Sequence, residues 1–251
     1  MLGLPQELVD VIVDELAKSP KISAYSTVSH QWLDRTQKYH FKSLHFHGQS
    51  KLEKWRATIS ADPLGVSRHV RKLTWSYVNS LEHFDDHIRA FTLAEKAELY
   101  KCAIFGSLAD LRPLTLLGSS LVQLKIEDAE TTPSVMASLL AALPHLRRLL
   151  VHELRIENDN LPIASPATIP FFEGANYMEL TWIHFPPPVL HWVPPTARFS
   201  CLRIGPLCAR NSEIVNEWIA SSADCLEHFS IDYFGFRWDF NGTPSVTSSS
   251  A

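Results

Sequence analysis

The chain has 251 residues, 45% of them hydrophobic and 10% aromatic, and its formal net charge is −4. This composition is typical of a folded protein, and the slight acidity argues against a general nucleic-acid binder, which normally carries a strongly basic face. The sequence has no apolar run long enough to cross a bilayer and no signal-peptide pattern, so we expect a cytoplasmic or nuclear protein without nucleic-acid or membrane partners.

The first predicted element is an amphipathic helix near the N-terminus. Leu4, Leu8, Ile12 and Leu16 recur at four-residue steps, which places them along one stripe of an α-helix. Pro5 occupies a position that the first turn of a helix tolerates. We therefore expect this stripe to be the apolar face of the first helix.

Two further short helices are predicted before residue 43. Their apolar positions are Ile22, Tyr25 and Val28 in the one, and Trp32, Leu33 and Tyr39 in the other. Ser29 is suited to cap the last of the three helices. Three short helices in about 40 residues enclose too small a core to be stable alone. Residues 1–42 are therefore predicted to form a helical module that depends on a neighbour.

This N-terminal pattern resembles the F-box, a short helical module with a Leu-Pro opening and a Val-Ser-x-x-Trp close. The matching residues are Leu4, Pro5, Leu8, Ile12, Leu16, Val28, Ser29 and Trp32. Ile22 replaces the leucine that is usual after the first loop. The resemblance implies that Leu4, Pro5, Leu8, Ile12, Leu16, Ile22, Val28 and Trp32 contact the adaptor Skp1. The simpler alternative is a helical cap on a larger domain.

After the helices, three apolar positions spaced i, i+3, i+5 return along the chain. The rows are Phe41-Leu44-Phe46, Val70-Leu73-Trp75, Leu121-Leu124-Ile126, Leu146-Leu149-Val151, Tyr177-Leu180-Trp182, Phe199-Leu202-Ile204 and Leu226-Phe229-Ile231. The end of each row alternates as a short strand does, and the usual interval is roughly 22 to 31 residues. This predicts an irregular leucine-rich-repeat solenoid with parallel strands over residues 43–240. An ordinary α/β domain is the alternative.

Between the rows, residues 49–59, 133–143 and 212–221 are predicted to be helical or looped. One interval is about 51 residues long, so a row is hidden or replaced there, and residues 80–111 are predicted to fill it as a helical insertion. Its apolar side would carry Leu93, Ala97, Tyr100 and Ile104. Leu111, Leu114 and Leu116 form an offset extra row, which Pro113 would restrict to an edge. Residues 241–251 are predicted to be a disordered tail or a truncated end.

An F-box followed by divergent repeats resembles fungal substrate adaptors of Skp1–cullin–F-box ubiquitin ligases. The resemblance implies a non-catalytic α/β protein that binds a Skp1-like adaptor, through it a cullin, and an unidentified protein substrate, without a cofactor. A repeat scaffold outside any ubiquitin ligase is the alternative function.

The residues that flank the buried positions of each row predict a substrate-binding face. The candidates are Lys72, Lys125, Arg148, His152, Glu179 and Arg203. Their mixed charges suit a protein or peptide better than a polyanion.

Catalytic or metal-binding motifs are sparse. His83 and His87 stand four residues apart and could share one helix face, while His45 and His47 would share one face of a strand. Neither pair comes with an identifiable third ligand, so no metal site is predicted. The four cysteines form no C-x-x-C pair, and we expect them to be reduced and packed as small apolar residues.

Overall fold

The computed structural model describes residues 4–19, 30–61, 65–78, 81, 88–102, 111–156, 169–174, 176–181, 193–205, 212–233, 236–239 and 244–245. The α-helices in these ranges are α1 (Gln6–Leu16), α2 (His30–His40), α3 (Gln49–Ala61), α4 (Arg112–Leu116), α5 (Pro133–Ala141), α6 (Pro170–Glu173) and α7 (Ser212–Ser221), and a 3₁₀ turn covers Val66–His69. Residues 49–59, 133–143 and 212–221, which were predicted to be helical or looped, contain the helices α3, α5 and α7.

Within the described ranges, ten strands form one sheet in which each strand pairs with the next along the chain. They are β1 (Ser43–His47), β2 (Lys72–Ser76), β3 (Lys96–Tyr100), β4 (Gln123–Thr131), β5 (Arg148–Ile156), β6 (Asn176–Thr181), β7 (Phe199–Ile204), β8 (His228–Tyr233), β9 (Phe236–Asp239) and β10 (Pro244–Ser245). Strands β1 to β8 are parallel, and β9 and β10 are antiparallel to their neighbours. The predicted α/β class with parallel strands is confirmed.

The register stacks the apolar positions of successive strands into two continuous rows. The first row is Leu44, Leu73, Ala97, Leu124, Leu149, Met178, Leu202 and Phe229, and the second is Phe46, Trp75, Leu99, Ile126, Val151, Leu180, Ile204 and Ile231. Because side chains alternate across a strand, both rows lie on the same face of the sheet. That face is buried from β1 to β7.

The predicted helical insertion in residues 80–111 is wrong over the part that forms a strand. Residues Lys96–Tyr100 form β3, which inserts between β2 and β4. The buried positions of this repeat are Ala94, two residues before the strand, and Ala97 and Leu99 within it. Two of these are alanines, whose small side chains give a weak hydrophobic signal. Leu93, expected on the apolar side of a helix, is 45% exposed, and Ile104 lies outside the described residues.

Two further row predictions need correction. In β6 the buried apolar residues are Met178 and Leu180, whereas Tyr177, predicted to begin the row, is half-buried on the other face. Leu114 lies in a short helix, α4, and forms no extra strand; Pro113 stands in the first turn of α4, where its missing N–H costs nothing. Trp182 lies outside the described residues.

The buried face of the sheet packs against helices and turns between the strands. Leu52 of α3, Met136 of α5, Phe172 of α6 and Trp218 of α7 belong to the same buried cluster as the two strand rows. The indole Nε1 of Trp218 donates a hydrogen bond of 3.1 Å to the carbonyl of Pro194, which satisfies its buried N–H. The core is therefore one layer of side chains between the sheet and its connecting segments.

At one aligned position of strands β1 to β5, the backbone has a residue with positive φ. These are Gly48, Tyr77, Lys101, Asp128 and Glu153, with φ between 49° and 75°. Each follows the fifth residue of the aligned segment in β1 to β5, and the amides of the first three donate to a carbonyl of the next strand. Four of the five are not glycine, so the positive φ costs conformational energy at each.

Helices α1 and α2 pack through a second, separate buried cluster in the described residues. Val9 and Val13 of α1 are fully buried there, and Ala17, Trp32 and Tyr39 pack against them. The middle helix predicted around Ile22 and Val28 lies outside the described residues. No described helix has the length and apolar character that crossing a membrane requires.

Candidate functional site

The outer face of α1, together with Leu4 just before the helix, presents an apolar row to solvent. Leu4 is 49% exposed, Leu8 51% and Ile12 38%, and Val11 beside them is 61% exposed. Three of these residues belong to the predicted Skp1-contacting set, whereas Val11 was not identified from the sequence. In the described part of the chain, no other helix exposes large apolar side chains at four-residue steps.

The inner face of α1 consists of residues outside the stripe predicted from the sequence. Val9 and Val13 are buried against α2, so the predicted stripe is not the face that the chain itself covers. Among the remaining candidates, Leu16 and Trp32 are half-buried and Pro5 is exposed. Ile22 and Val28 lie outside the described residues. The four-residue spacing of Val9, Val13 and Ala17 could have revealed this second stripe.

An ion pair fixes α1 to α2. Arg35 donates from Nε and from a terminal nitrogen to the two carboxylate oxygens of Asp14, at 2.8 and 2.6 Å, and the hydroxyl of Tyr39 donates to Asp14 at 2.7 Å. The hydrogen bond from Arg35, followed by that from Tyr39, lowers the pKa of Asp14 to about 2. This geometry sets which side of α1 faces outward.

The second candidate surface is the polar face of the sheet, opposite the buried rows. All six predicted residues lie on it, in strands β2, β4, β5, β6 and β7: Lys72, Lys125, Arg148, His152, Glu179 and Arg203. None of the six side chains is fully buried. The structure therefore places all six predicted residues on one face, although it does not gather them into one cluster.

Three of the six meet around Glu179. Its carboxylate lies 3.3 Å from Nε2 of His152, without hydrogen-bond alignment, and 3.8 Å from Arg203. The hydroxyl of Tyr177 also donates a short hydrogen bond to it. Burial, followed by this bond, raises the pKa of Tyr177 to about 12. Arg148 lies over the ring of Tyr177, 4.7 Å from its centre, and so joins this group.

The other two predicted residues pair with acids elsewhere on the face. Lys72 lies 2.7 Å from Glu98, and Lys125 lies 2.5 Å from Glu127. Glu98 also accepts a hydrogen bond from the hydroxyl of Thr74. Glu98 was not predicted because the sequence around it was interpreted as a helix. Its assignment to β3 is what brings it opposite Lys125 and Thr74.

A cavity of about 360 Å³ opens on this face near the ends of β1 to β4. His45 and His47 line it, and both imidazoles lie within hydrogen-bond distance of the hydroxyl of Ser76, at 2.7 and 3.0 Å. Burial lowers the pKa of His45. Tyr77 and Tyr100 form an adjacent edge-to-face pair. The histidine pair is thus held by a serine on the neighbouring strand.

No group of three potential metal ligands occurs among the residues that the structure describes. His83 and His87 lie outside those residues. Cys102 and Cys201 are buried, and burial raises the pKa of both thiols, which disfavours the reactive thiolate.

Comparison with known proteins adds no identity to these surfaces. No protein-family model and no curated protein matches the chain. The function of the apolar row and of the polar sheet face therefore has to be inferred from their residues.

Proposed function

We propose that the chain is the substrate-recognition adaptor of a Skp1–cullin–F-box ubiquitin ligase. In this proposal α1 docks on a Skp1-like protein, and the polar face of the sheet binds a protein substrate. The chain itself performs no chemistry, and ubiquitin transfer belongs to other subunits. The observation that carries the proposal is the exposed apolar row formed by Leu4, just before α1, and by Leu8 and Ile12 on α1, whose other side is already packed.

The apolar surface of α1 is wider than its intrachain partner covers. Successive residues of an α-helix are about 100° apart, so Leu8 and Ile12 lie beside Val9 and Val13 around the helix and extend the same apolar surface. Only the valines are covered by α2. Burying Leu4, Leu8 and Ile12 on a partner would contribute roughly 1.5–3 kcal/mol for each side chain. A second polypeptide is the natural cover for such a face.

The packing of α1 also agrees with a docking role. Trp32, the tryptophan of the F-box-like motif, packs behind Val9 and Val13. Arg35, which like Trp32 belongs to α2, donates a hydrogen bond to Asp14 of α1. Both contacts keep the apolar row pointing away from the chain and limit the conformational entropy that docking would cost.

The repeat interpretation is supported by the sheet. Its eight parallel strands follow chain order and carry stacked apolar rows, as expected for leucine-rich repeats. The repeat pattern also places asparagine or cysteine eight residues after the first apolar position. Cys102 stands there after Ala94, and its Sγ donates to the carbonyls of Trp75 and Tyr100, at 3.5 and 3.4 Å. The other described repeats lack asparagine or cysteine at this position, so the repeats are divergent.

The polar face supports substrate binding through its mixed charge. Lys72, Arg148 and Arg203 lie among Glu98 and Glu179, so the face offers both signs over several strands. Such a surface is complementary to a protein or peptide that also carries both signs. The ion pairs of Lys72 with Glu98 and of Arg203 with Glu179 hold these groups in place before binding.

Co-purification with recombinant Skp1 tests the docking step. The wild-type chain is expected to form a stoichiometric complex, and the double variant Leu8→Asp plus Ile12→Asp is expected to lose it, because two carboxylates would be buried in an apolar groove. The matched control is Leu93→Asp plus Val122→Asp, which makes the same change at two exposed apolar positions outside α1. The control should retain the complex.

Absence of a complex with the wild-type chain, or equal loss in both double variants, would contradict the proposal.

The second candidate is a repeat scaffold that joins no ubiquitin ligase. It is favoured by the polar sheet face, which does not require α1 in order to bind a partner. A scaffold would bind its partner protein equally well when Leu8 and Ile12 are replaced.

A further inference from the structure

Two tyrosines and a histidine line one wall of the cavity of about 360 Å³ at the ends of β1 to β4. The ring centre of Tyr77 lies 5.1 Å from that of His47 and 5.7 Å from that of Tyr100, and both contacts are edge-to-face. Tyr77 is 47% exposed, and no other tyrosine, tryptophan or phenylalanine side chain that the structure describes is exposed to this extent. An exposed aromatic ring at the mouth of a cavity is available to pack against a ligand.

Neither packing nor backbone conformation accounts for a tyrosine at residue 77. Its φ is 55°, in the left-handed region that favours glycine. Its amide donates a hydrogen bond of 3.0 Å to the carbonyl of Tyr100. Nζ of Lys101 lies 5.8 Å from the centre of the Tyr77 ring and 5.3 Å from that of Tyr100. These contacts hold the two rings side by side without burying that of Tyr77, so the wall of the cavity is ordered before a ligand binds.

Both carboxylates that line the cavity are neutralised within the chain. Glu98 lies 2.7 Å from Lys72, and Glu127 lies 2.5 Å from Lys125. A cationic ligand would have to displace these lysines, and an anionic ligand would meet the carboxylates. The charge of the cavity is therefore complementary to an uncharged ligand.

The histidines of the cavity are also satisfied within the chain. The hydroxyl of Ser76 has a single proton, so it donates to one of the imidazoles of His45 and His47 and accepts from the other. Burial, followed by the neighbouring His47, lowers the pKa of His45, which is therefore uncharged at neutral pH. The histidines thus add no charge that would attract an anion.

From this arrangement we infer that the cavity and its aromatic wall bind a proline-rich segment of a partner protein. Proline side chains are uncharged, and their flat rings pack against aromatic side chains, as in other aromatic-lined grooves that take proline-rich peptides. Two residues of a polyproline II helix span about 6.2 Å. The steps of 5.1 and 5.7 Å between the three rings are close to this length, so alternate residues of the segment would meet successive rings.

A polyproline II helix also needs hydrogen-bond donors, because its carbonyls have no partner within the helix. The hydroxyl of Tyr77 forms no hydrogen bond with any residue that the structure describes, so it can donate to such a carbonyl. The segment is already extended before it binds, which keeps the loss of conformational entropy small. A sugar is the less favoured occupant, since its many hydroxyls would need the polar groups that are already paired in the cavity.

The test is fluorescence anisotropy with the full chain and a fluorescein-labelled peptide of ten prolines. The wild type is expected to bind it, and raising sodium chloride from about 0.1 to 1 M should not weaken binding, because no ion pair forms. Tyr77→Asn removes the ring at a position whose positive φ asparagine tolerates, and it should weaken binding at least about tenfold. Tyr77→Phe keeps the ring and should stay within about fivefold of the wild type.

The matched control is Leu93→Asn, which removes an exposed apolar side chain from a position that does not line the cavity. It should change binding less than about twofold. The inference would be overturned by absence of binding, by equal binding of a ten-residue Gly-Ser peptide, or by equal loss in the control. A loss in Tyr77→Phe as large as that in Tyr77→Asn, or release of the peptide by salt, would also overturn it. Displacement by an equimolar amount of a glucose hexasaccharide would overturn it and assign the rings to a sugar.

This inference rests on the proposed role of the polar sheet face in binding a protein substrate, and it names the class of segment bound. It does not depend on α1, because Tyr77 does not belong to the apolar row, so Tyr77→Asn should still co-purify with Skp1. A chain that binds the proline peptide but no Skp1 would contradict the adaptor function alone. A Skp1 complex that does not bind the proline peptide would contradict only the inference about the cavity.

Discussion

Arg35 holds Asp14 through two hydrogen bonds of 2.6 and 2.8 Å, and this pair joins the only two helices that the structure describes before the sheet. Such two-point pairing fixes orientation more strictly than a single contact does. It turns Val9 and Val13 toward α2 and leaves Leu8 and Ile12 outside. The outward face of α1 is therefore set by a polar contact on the inner side.

The Asp14–Arg35 pair is expected to make stability depend on pH. Because the pKa of Asp14 in the folded chain is about 2 and its ordinary value is 3.8, folding favours the carboxylate. Its contribution is present above the ordinary pKa and is lost as the pH falls through about 2. The variant Asp14→Asn should have a lower Tm than the wild type at neutral pH, and the difference should shrink between about pH 4 and pH 2. A difference that stays constant over this range would contradict the role of the pair.

The buried row predicts a large cost for truncation at β4. Leu124 is fully buried between Ala97 and Leu149 of the neighbouring strands. Replacing Leu124 by alanine should lower the free energy of unfolding by about 2–5 kcal/mol, because it leaves a cavity in the core. Leu93→Ala, at a position 45% exposed, is the matched control and should change it by less than about 0.5 kcal/mol. Urea denaturation measures both, and similar costs would contradict the assignment of β3 and β4.

The positive φ of Glu153 predicts that glycine at this position stabilises the protein. Glu153 has φ of 53°, which costs a side-chain-bearing residue about 1–2 kcal/mol. Glycine removes that cost and loses part of the gain to the entropy of the unfolded chain, so Glu153→Gly should raise the free energy of unfolding by about 0.5–1 kcal/mol. Glu153→Val at the same site should lower it, since β-branched residues disfavour this conformation. Opposite signs in urea denaturation are expected, and a destabilising glycine would contradict the strain.

The group around Glu179 predicts a change in tyrosine titration. Burial and the hydrogen bond to Glu179 raise the pKa of Tyr177 to about 12. Glu179→Gln removes the negative charge but leaves the burial, so the pKa of Tyr177 should fall while it stays above its ordinary value. NMR of carbon-13-labelled tyrosine follows the titration. Glu127→Gln is the control, because Glu127 pairs with Lys125 and does not contact Tyr177. An unchanged pKa in Glu179→Gln would contradict the contact.

The sequence-based prediction of the strands depended on side-chain size. Leu124 and Ile126, or Leu149 and Val151, alternate strongly enough to reveal a strand and the face it buries. Ala97 fills the equivalent position in β3, and its methyl group gives almost no hydrophobic contrast. The helix-like spacing of Leu93 and Tyr100 then dominated the interpretation. The missing strand also hid Glu98, which pairs with Lys72 on the candidate binding face.

Periodicity along the sequence determined most of the parallel strands, but not β3, and the face on which Lys72, Arg148 and Glu179 lie, because alternation is a local property of the chain. It also revealed an apolar helix at the N-terminus. It did not determine whether Leu8 or Val9 faces inward, since both belong to one broad apolar surface. Only the tertiary structure decided this, through Trp32 and the contact of Arg35 with Asp14, and only the strand register brought Lys72 opposite Lys96. Contacts between residues distant in sequence leave no periodic trace in either segment.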